Sequence, residues 1–476
     1  MSLMVLSDEV IRTLLESLKR EEAEAFAQSL KFALHEHSTG AQGVDASFLN
    51  QPERTSVYSD TTGATTLFMP SYSPIGHGVK VVTVSSPSVD SSFPSIRPTG
   101  SVTLYSPEGS PVGFLHAQTL TAFRTALASS CLLTKRARVQ TITVFGSGLQ
   151  AYWHVRLALM LRGNTIRAIN IINRRFSDNA KGIMKRFYAV PQEQKQREGW
   201  EQAQFNVLTP GYGEYDRLQK EHVRAADVIY CCTPSTEDLF DGSILTSHEG
   251  RKKGRLIVAV GSYQPHMREL PKELLLQAVK HSGGHFHFHR HATEGGVIVV
   301  DSLDGCLKEA GEIIEAGLQP NQLVELGELA MIHRLARAEE EDAEGSSISE
   351  SFSKLNMASS GSAMSTVFGS DTSSTKRSTS QSPTRTRRDS GNLGKEEKRK
   401  SGGGFHLPSL KHHQRTGSSS SARKEERDDH LARWLTSGNV IYKSVGFGLM
   451  DLVVGLEVVK LAKERGVGSH IENFSS

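Results

Sequence analysis

The stretch that most restricts the fold is Thr141-Ile142-Thr143-Val144-Phe145-Gly146-Ser147-Gly148-Leu149-Gln150-Ala151. A short β-branched run meets a Gly-x-Gly-x-x-Ala turn. A helix follows, with Val155, Leu159 and Met160 at helical spacing, and Ile166 to Ile172 then forms a second apolar run. This order reads as a strand, turn, helix and parallel strand. In such a unit Gly146 permits the tight turn, Gly148 lets the backbone approach a pyrophosphate, and Ala151 keeps helix and sheet close. The phosphates would lie at the helix N-terminus, where backbone N–H groups lack intrahelical partners. The residues alone leave open a tight turn in an α/β domain that binds nothing.

Further apolar runs extend the pattern: Phe205 to Leu208, Asp227 to Cys232, Leu256 to Gly261 and Val297 to Asp301, separated by helical spacers. The predicted class is therefore α/β, a Rossmann-type doubly wound sheet. Thr233 follows the fourth strand at its carboxyl end, where ligands bind in such folds. At the end of the second strand stand Asn173-Arg174-Arg175, followed by Ser177. An NAD site wants an acidic side chain there, whereas two guanidiniums and a hydroxyl suit a 2′-phosphate. The expectation is a preference for NADP(H), with NAD(H) as the alternative; Asp178 lies close by.

Charge adds a second constraint. Residues 371–430 hold 14 Lys+Arg against 8 Asp+Glu, while the rest of the chain holds 41 against 44. The basic balance thus comes from one segment, and no nucleic-acid-binding fold is implied. Residues 346–430 also contain 22 serines with hardly any periodic apolar pattern, a composition too poor in burial to offset its ordering entropy. Residues 343–428 are accordingly expected to be a disordered, Ser-rich basic insert. Arg387-Arg388-Asp389-Ser390, Lys398-Arg399-Lys400-Ser401 and Ser382-Pro383 are candidate kinase sites within it. Cys131, Cys231, Cys232 and Cys306 have no regular spacing, so neither a disulfide framework nor a cysteine zinc site is expected. His285, His287 and His289 alternate, but without a carboxylate or thiol at fixed spacing, and no metal is assigned. No run of 18 apolar residues exists, and Asp8 and Glu9 stand where a secretory leader would be apolar. A cytoplasmic protein with no membrane partner is expected.

Three cations precede the nucleotide unit. Arg124 lies on a predicted helix beside the apolar stripe of Leu120, Phe123 and Leu127, where it could face a pocket or snorkel to solvent. Arg54 reads as a surface loop residue, and Lys80 as an edge lysine on a β-branched strand.

Lys80-Val81-Val82-Thr83, Leu120 to Ala126 and Gly146 to Ala151, followed by Ala259-Val260-Gly261, Arg268-Glu269-Leu270 and Val300-Asp301-Ser302, form an ordered set. Lys308 to Glu312, Lys443 to Gly446 and Asp451 complete it. Together these resemble the ornithine cyclodeaminase/mu-crystallin family, outside the insert. Met69 to Ser73 and Gln150 to His154 bring the likeness closer to the mu-crystallin, ketimine reductase branch. The resemblance implies a dinucleotide domain inserted into an α+β substrate and dimerisation domain made from both chain ends. The expected boundaries are 1–130 and 429–476 for the substrate domain, 131–320 for the dinucleotide domain, and 321–342 for the return. A homodimer is implied as well.

By resemblance, Arg54, Lys80 and Arg124 grip a substrate carboxylate, and Lys80 also transfers a proton. Arginine offers a planar fork for a carboxylate, and a lysine in a closed site shifts its pKa. Cyclodeaminases carry an aspartate where this chain has Tyr263; tyrosine donates a hydrogen bond but supplies no carboxylate at neutral pH. The candidate catalytic residues are Lys80 and Tyr263. The candidate cofactor contacts are Thr125, Gly146, Ser147, Gly148, Leu149, Gln150, Asn173, Arg174, Arg175, Thr233 and Asp301. The function implied is NADPH-dependent reduction of a small cyclic ketimine carboxylate, of the pyrroline- or piperideine-2-carboxylate type, to a cyclic amino acid. Two alternatives stay open: an NAD-dependent ornithine cyclodeaminase, and a non-enzymatic small-ligand-binding protein.

Overall fold

Between residues 64 and 85 burial alternates along the chain: Leu67, Met69, Ser71 and Ser73 are buried, while Phe68 and Tyr72 face outward. Such alternation belongs to an antiparallel sheet with one face on a core. The computed structural model describes residues 2–40, 51–85, 98–280, 295–329 and 431–474. In it, β1 (Leu3–Leu6), β2 (Thr55–Ser59), β3 (Ala64–Ser73), β4 (Gly76–Ser85), β5 (Thr99–Tyr105) and β6 (Pro111–His116) form a sheet with a terminal strand, Ser469–Ile471. The order is terminal strand, β1, β6, β5, β4, β3, β2, antiparallel throughout except for β1 with β6.

The second sheet contains β7 (Thr141–Phe145), β8 (Ala168–Ile172), β9 (Gln204–Leu208), β10 (Val228–Cys231), β11 (Leu256–Ala259), β12 (Val297–Val300), β13 (Leu323–Glu325) and β14 (Val440–Lys443). All eight strands are parallel, in the order β13, β12, β14, β11, β10, β7, β8, β9. After β9 the chain returns across β7 to build β10, so a crevice opens at the carboxyl ends of β7 and β10, where strand order reverses. The fold is thus α/β, with a Rossmann-type sheet beside a mixed sheet and helices.

Two segments expected in the substrate domain lie in this parallel sheet instead. Residues 440–443 form β14 between β11 and β12, and residues 323–325 form the edge strand β13. The reason is visible in β14 itself: Val440, Ile441, Tyr442 and Lys443 are all buried, as a strand covered on both faces must be. After β14 the chain crosses back, and the C-terminal helix Gly448–Glu464 packs on β3, β4, β5 and β6.

Helix α1 (Asp8–Glu16) is capped by the Ser7 hydroxyl, which accepts from the Val10 N–H. Helices α2 (Arg20–Gly40) and α3 (Ala117–Leu133) follow, with α3 packed against α4 (Leu149–Arg162). Phe123 of α3 meets Trp153 of α4 edge-on at 5.2 Å, and one continuous apolar core joins the two sheets through these helices. Helix α5 (Asp178–Ala189) follows β8. Among the described residues no helix is long and apolar enough to cross a membrane. The insert at 343–428 with its candidate kinase sites, and the histidines from His281 to His291, lie outside the described residues.

Because Ile441 is fully buried in the middle of the parallel sheet, Ile441→Ala should lower stability by about 2–5 kcal/mol. Val57→Ala, on the exposed strand β2, should change it by less than about 0.5 kcal/mol. Urea denaturation midpoints check both.

Candidate active site

Strand β4 is interior to its sheet, paired with β3 and β5, so Lys80 is no edge lysine; it is buried, opposite Met69 and Val102. An ammonium buried there needs a counter-charge. The C-terminal helix supplies one: the Lys80 Nζ lies 2.7 Å from Asp451 Oδ2. Arg124 reaches the same carboxylate from α3, with Nε 3.0 Å from Asp451 Oδ1 and Nη1 3.2 Å from the Met450 sulfur. Burial pushes the Lys80 ammonium down to about 8; Asp451 opposes that shift, while Arg124 and Arg54 add to it.

Gly446 completes this corner. Its φ is +78°, and a Cβ there would lie 2.8 Å from the Arg124 guanidinium, so glycine serves both the turn and the close approach. Arg54, expected as a surface residue, is half-buried. Its Nε lies 2.6 Å from Glu309 Oε1, and its Nη2 donates to the Tyr263 carbonyl at 2.8 Å. Burial raises the Tyr263 phenol, so it remains protonated.

Lys80, Arg54, Arg124 and Tyr263 all line one cleft of about 1740 Å³ that continues past Thr125, Ser147, Gly148, Leu149 and Gln150 to Arg174 and Arg175. This exceeds the usual ~300–1,000 Å³ of a small-ligand pocket and leaves room for an extended ligand beside a small one. A smaller adjoining recess is lined by Gly146, Ser147, Gly148, Asn173, Arg174, Arg175 and Thr233.

The turn after β7 fits a dinucleotide phosphate. Gly146 has φ +103°, and a Cβ on it would press into Thr233. A Cβ on Gly148 would meet open space, and no side chain caps the N-terminus of α4. Two buried acceptors facing the cleft, Gln150 Oε1 and Thr121 Oγ1, have no hydrogen-bond partner among the described residues. Thr121 is absent from the expected site, although its place one turn before Arg124 and Thr125 puts it on their helix face.

Asp301, expected among the cofactor contacts, does not line the cleft. Its Oδ2 accepts from the Ser444 hydroxyl at 2.6 Å and the Gly446 N–H at 2.7 Å, and its Oδ1 accepts from the Ser302 N–H. The carboxylate is spent on holding the turn that shapes the Arg124 corner.

With this geometry in view, comparison with known proteins places the chain. The description "Ornithine cyclodeaminase/mu-crystallin family" matches residues 8–199. The uncharacterized protein YGL159W of Saccharomyces cerevisiae is 30% identical over 289 residues, covering 55% of this chain and 70% of that one. The ketimine reductase mu-crystallin of Mus musculus is 29% identical over 266 residues, covering 55% and 68%. The chain belongs to the ornithine cyclodeaminase/mu-crystallin family. It is an NAD(P)-dependent oxidoreductase of that family. Among solved structures, the Thermococcus litoralis Delta(1)-pyrroline-2-carboxylate reductase in complex with NADH and L-proline aligns with a TM-score of 0.57 at 18% identity, over 98% of this chain and 100% of that one. At that identity the likeness is one of fold.

The expected preference for NADP(H) is overturned. The Thermococcus structure holds NADH. An archaeal alanine dehydrogenase dimer has bound NAD (TM-score 0.56, 16% identity, 100% of each chain covered). The Paracoccus denitrificans iminosuccinate reductase is in complex with NAD+ (TM-score 0.56, 15% identity, 99% of this chain and 100% of that one). The local geometry gives a physical reason. The Ser177 hydroxyl caps α5 by accepting from the Ala180 N–H and also accepts from Asn173 Nδ2, which donates to the Arg175 carbonyl as well. The one hydroxyl read as a phosphate ligand is thus engaged in the turn, while Asp178 brings a carboxylate to the same cleft as Arg174 and Arg175.

The shared carboxylate makes a test of the Lys80 corner. Since Asp451 raises the Lys80 pKa, Asp451→Asn should drop it further below 8 and leave the amine neutral across the neutral range; a side-chain NMR titration reads this directly.

Proposed function

We propose that the protein reduces a small cyclic ketimine carboxylate, of the pyrroline- or piperideine-2-carboxylate type, to the cyclic amino acid, using NADH, and that it stands on the ketimine reductase branch of its family. The observation that carries this reading is the buried Lys80 in a cleft flanked by Arg54 and Arg124, with the proton on Lys80 held loosely at about 8.

The reduced nicotinamide supplies the hydride that the ring carbon receives when the C=N bond becomes C–N. The chain supplies the rest. Arg54 has used two of its five N–H donors on Glu309 and Tyr263, and Arg124 has used two on Asp451 and Met450. Each keeps donors for a substrate carboxylate. Lys80 and Arg124 carry two positive charges against the single charge of Asp451, and the substrate carboxylate balances the remainder. Lys80 gives its proton to the ring nitrogen, and Asp451 keeps that proton available at neutral pH. Leu67, Met69 and Val82 wall the cleft beside Lys80 and favour a hydrocarbon ring over a charged chain. Tyr263 offers a hydroxyl rather than the carboxylate that would handle a second amine, which favours reduction over deamination of ornithine.

A homodimer fits the outward face of the first sheet, where Phe68, Tyr72 and Phe114 stand exposed. Exposed aromatic rows of this kind mark surfaces that another chain covers.

With NADH and pyrroline-2-carboxylate or piperideine-2-carboxylate, absorbance at the reduced-nicotinamide band should fall, and it should fall faster than with NADPH. Lys80→Ala should lower kcat by about 10²–10⁴-fold, and Arg54→Ala should act mainly on KM. The wild-type rate should decline as pH rises through about 8, because the proton donor is then lost. Tight NADH binding with no turnover of either ketimine would sink the reading.

A further inference from the structure

Below the cleft lies a buried charge cluster that the proposed chemistry does not use. Glu269 and Lys443 are fully buried and Glu312 nearly so. Glu269 stands between the loops that leave two adjacent strands, β10 and β11. Its Oε1 accepts from the Thr233 N–H at 2.8 Å, and its Oε2 accepts from the Gly261 N–H at 2.6 Å and the Ser262 N–H at 3.3 Å. Lys443, at the end of β14, donates to the Ser262 carbonyl at 2.5 Å and lies 3.3 Å from Glu312. The Ser262 hydroxyl in turn donates to Glu312 at 2.7 Å.

Each clasped loop leads to a working part of the cleft. Thr233 packs against Gly146 of the phosphate turn. Gly261 lines the cleft, and the Tyr263 carbonyl two residues on receives Arg54. The two loops meet so closely that a Cβ on Gly261 would lie 2.1 Å from the Thr233 carbonyl oxygen. A carboxylate with one oxygen for each loop fixes their spacing, since hydrogen bonds to a charged acceptor are the strong ones.

We propose that Glu269 is a positioning residue, a clasp that sets the distance between the phosphate turn and the Tyr263–Arg54 wall and thereby the dinucleotide affinity of the cleft. The proposal rests on the reading that this cleft takes NADH. Burial pushes the Glu269 carboxyl up to about 7; Glu312 adds to this, while Lys443 and the Thr233 and Gly261 N–H groups oppose it. Cys231 at the end of β10 and Cys232 just after it feel the Glu269 charge, and burial, the larger cause, keeps both thiols protonated. Below neutrality Glu269 takes up a proton. One of its oxygens then becomes a hydroxyl and a poor acceptor, and one loop is released.

The test compares full-length wild type with Glu269→Gln by NADH fluorescence titration between pH 6 and 8.5. Wild-type affinity should fall as pH drops through about 7. Glu269→Gln keeps the shape but presents an NH2 to one loop; its Kd should be about tenfold weaker at pH 8, without the inflection near 7. In a second measurement, the wild-type amide resonances of Thr233, Gly261 and Ser262 should titrate together near pH 7. Equal NADH affinity of the two proteins at every pH overturns the clasp. So do amides that fail to titrate, even if the variant does not fold. Wild type that binds no NADH while those amides titrate would sink the cofactor reading and leave the loop clasp standing.

Discussion

Two cations, Lys80 and Arg124, share one buried carboxylate, and the geometry of the cleft depends on that bargain. Burial of an unpaired charge is prohibitive in a low-dielectric interior, so Asp451 must stand within hydrogen-bond reach of both. It does so from the C-terminal helix, while the cations come from β4 and α3. Three distant stretches of chain are therefore locked at one point. Among the described residues, Asp451 is the ion-pair partner of both cations, so one positive charge remains over. A site left positive in this way attracts a small anion without rearrangement.

The same corner depends on β14. This strand occupies the middle of the parallel sheet although it comes from the far end of the sequence, and the turn that follows it is held by Asp301 through Ser444 and Gly446. Gly446 then makes room for the Arg124 guanidinium. Loss of any of these would disturb the others, because each is buried and packed against the next. The sheet and the cation corner are parts of one arrangement rather than a scaffold with a site placed on top.

The dinucleotide end shows how residue type without geometry misleads. Arg174, Arg175 and Ser177 have the chemistry of a 2′-phosphate site. In the folded chain, however, the Asn173 amide and the Ser177 hydroxyl bind one another and the backbone, because a turn that starts a helix must satisfy its own N–H groups first. Asp301 was misread in the same way. A carboxylate at the end of a strand can face a ligand or the next loop, and it faces the loop.

The sequence by itself determined the parallel sheet and the glycine turn, since β-branched runs and glycine spacing are local properties, whereas the three cations were singled out by family resemblance and not by their local pattern. The helix carrying Arg124 and the buried strands of the second sheet follow from such patterns. Only the tertiary structure decided that Lys80 is interior, that residues 440–443 complete the parallel sheet, and that Asp451, Glu309, Thr121 and Glu269 serve the cleft. Each of those depends on contacts between residues separated by tens to hundreds of positions, and a buried charge shows its purpose only when its partner is in place.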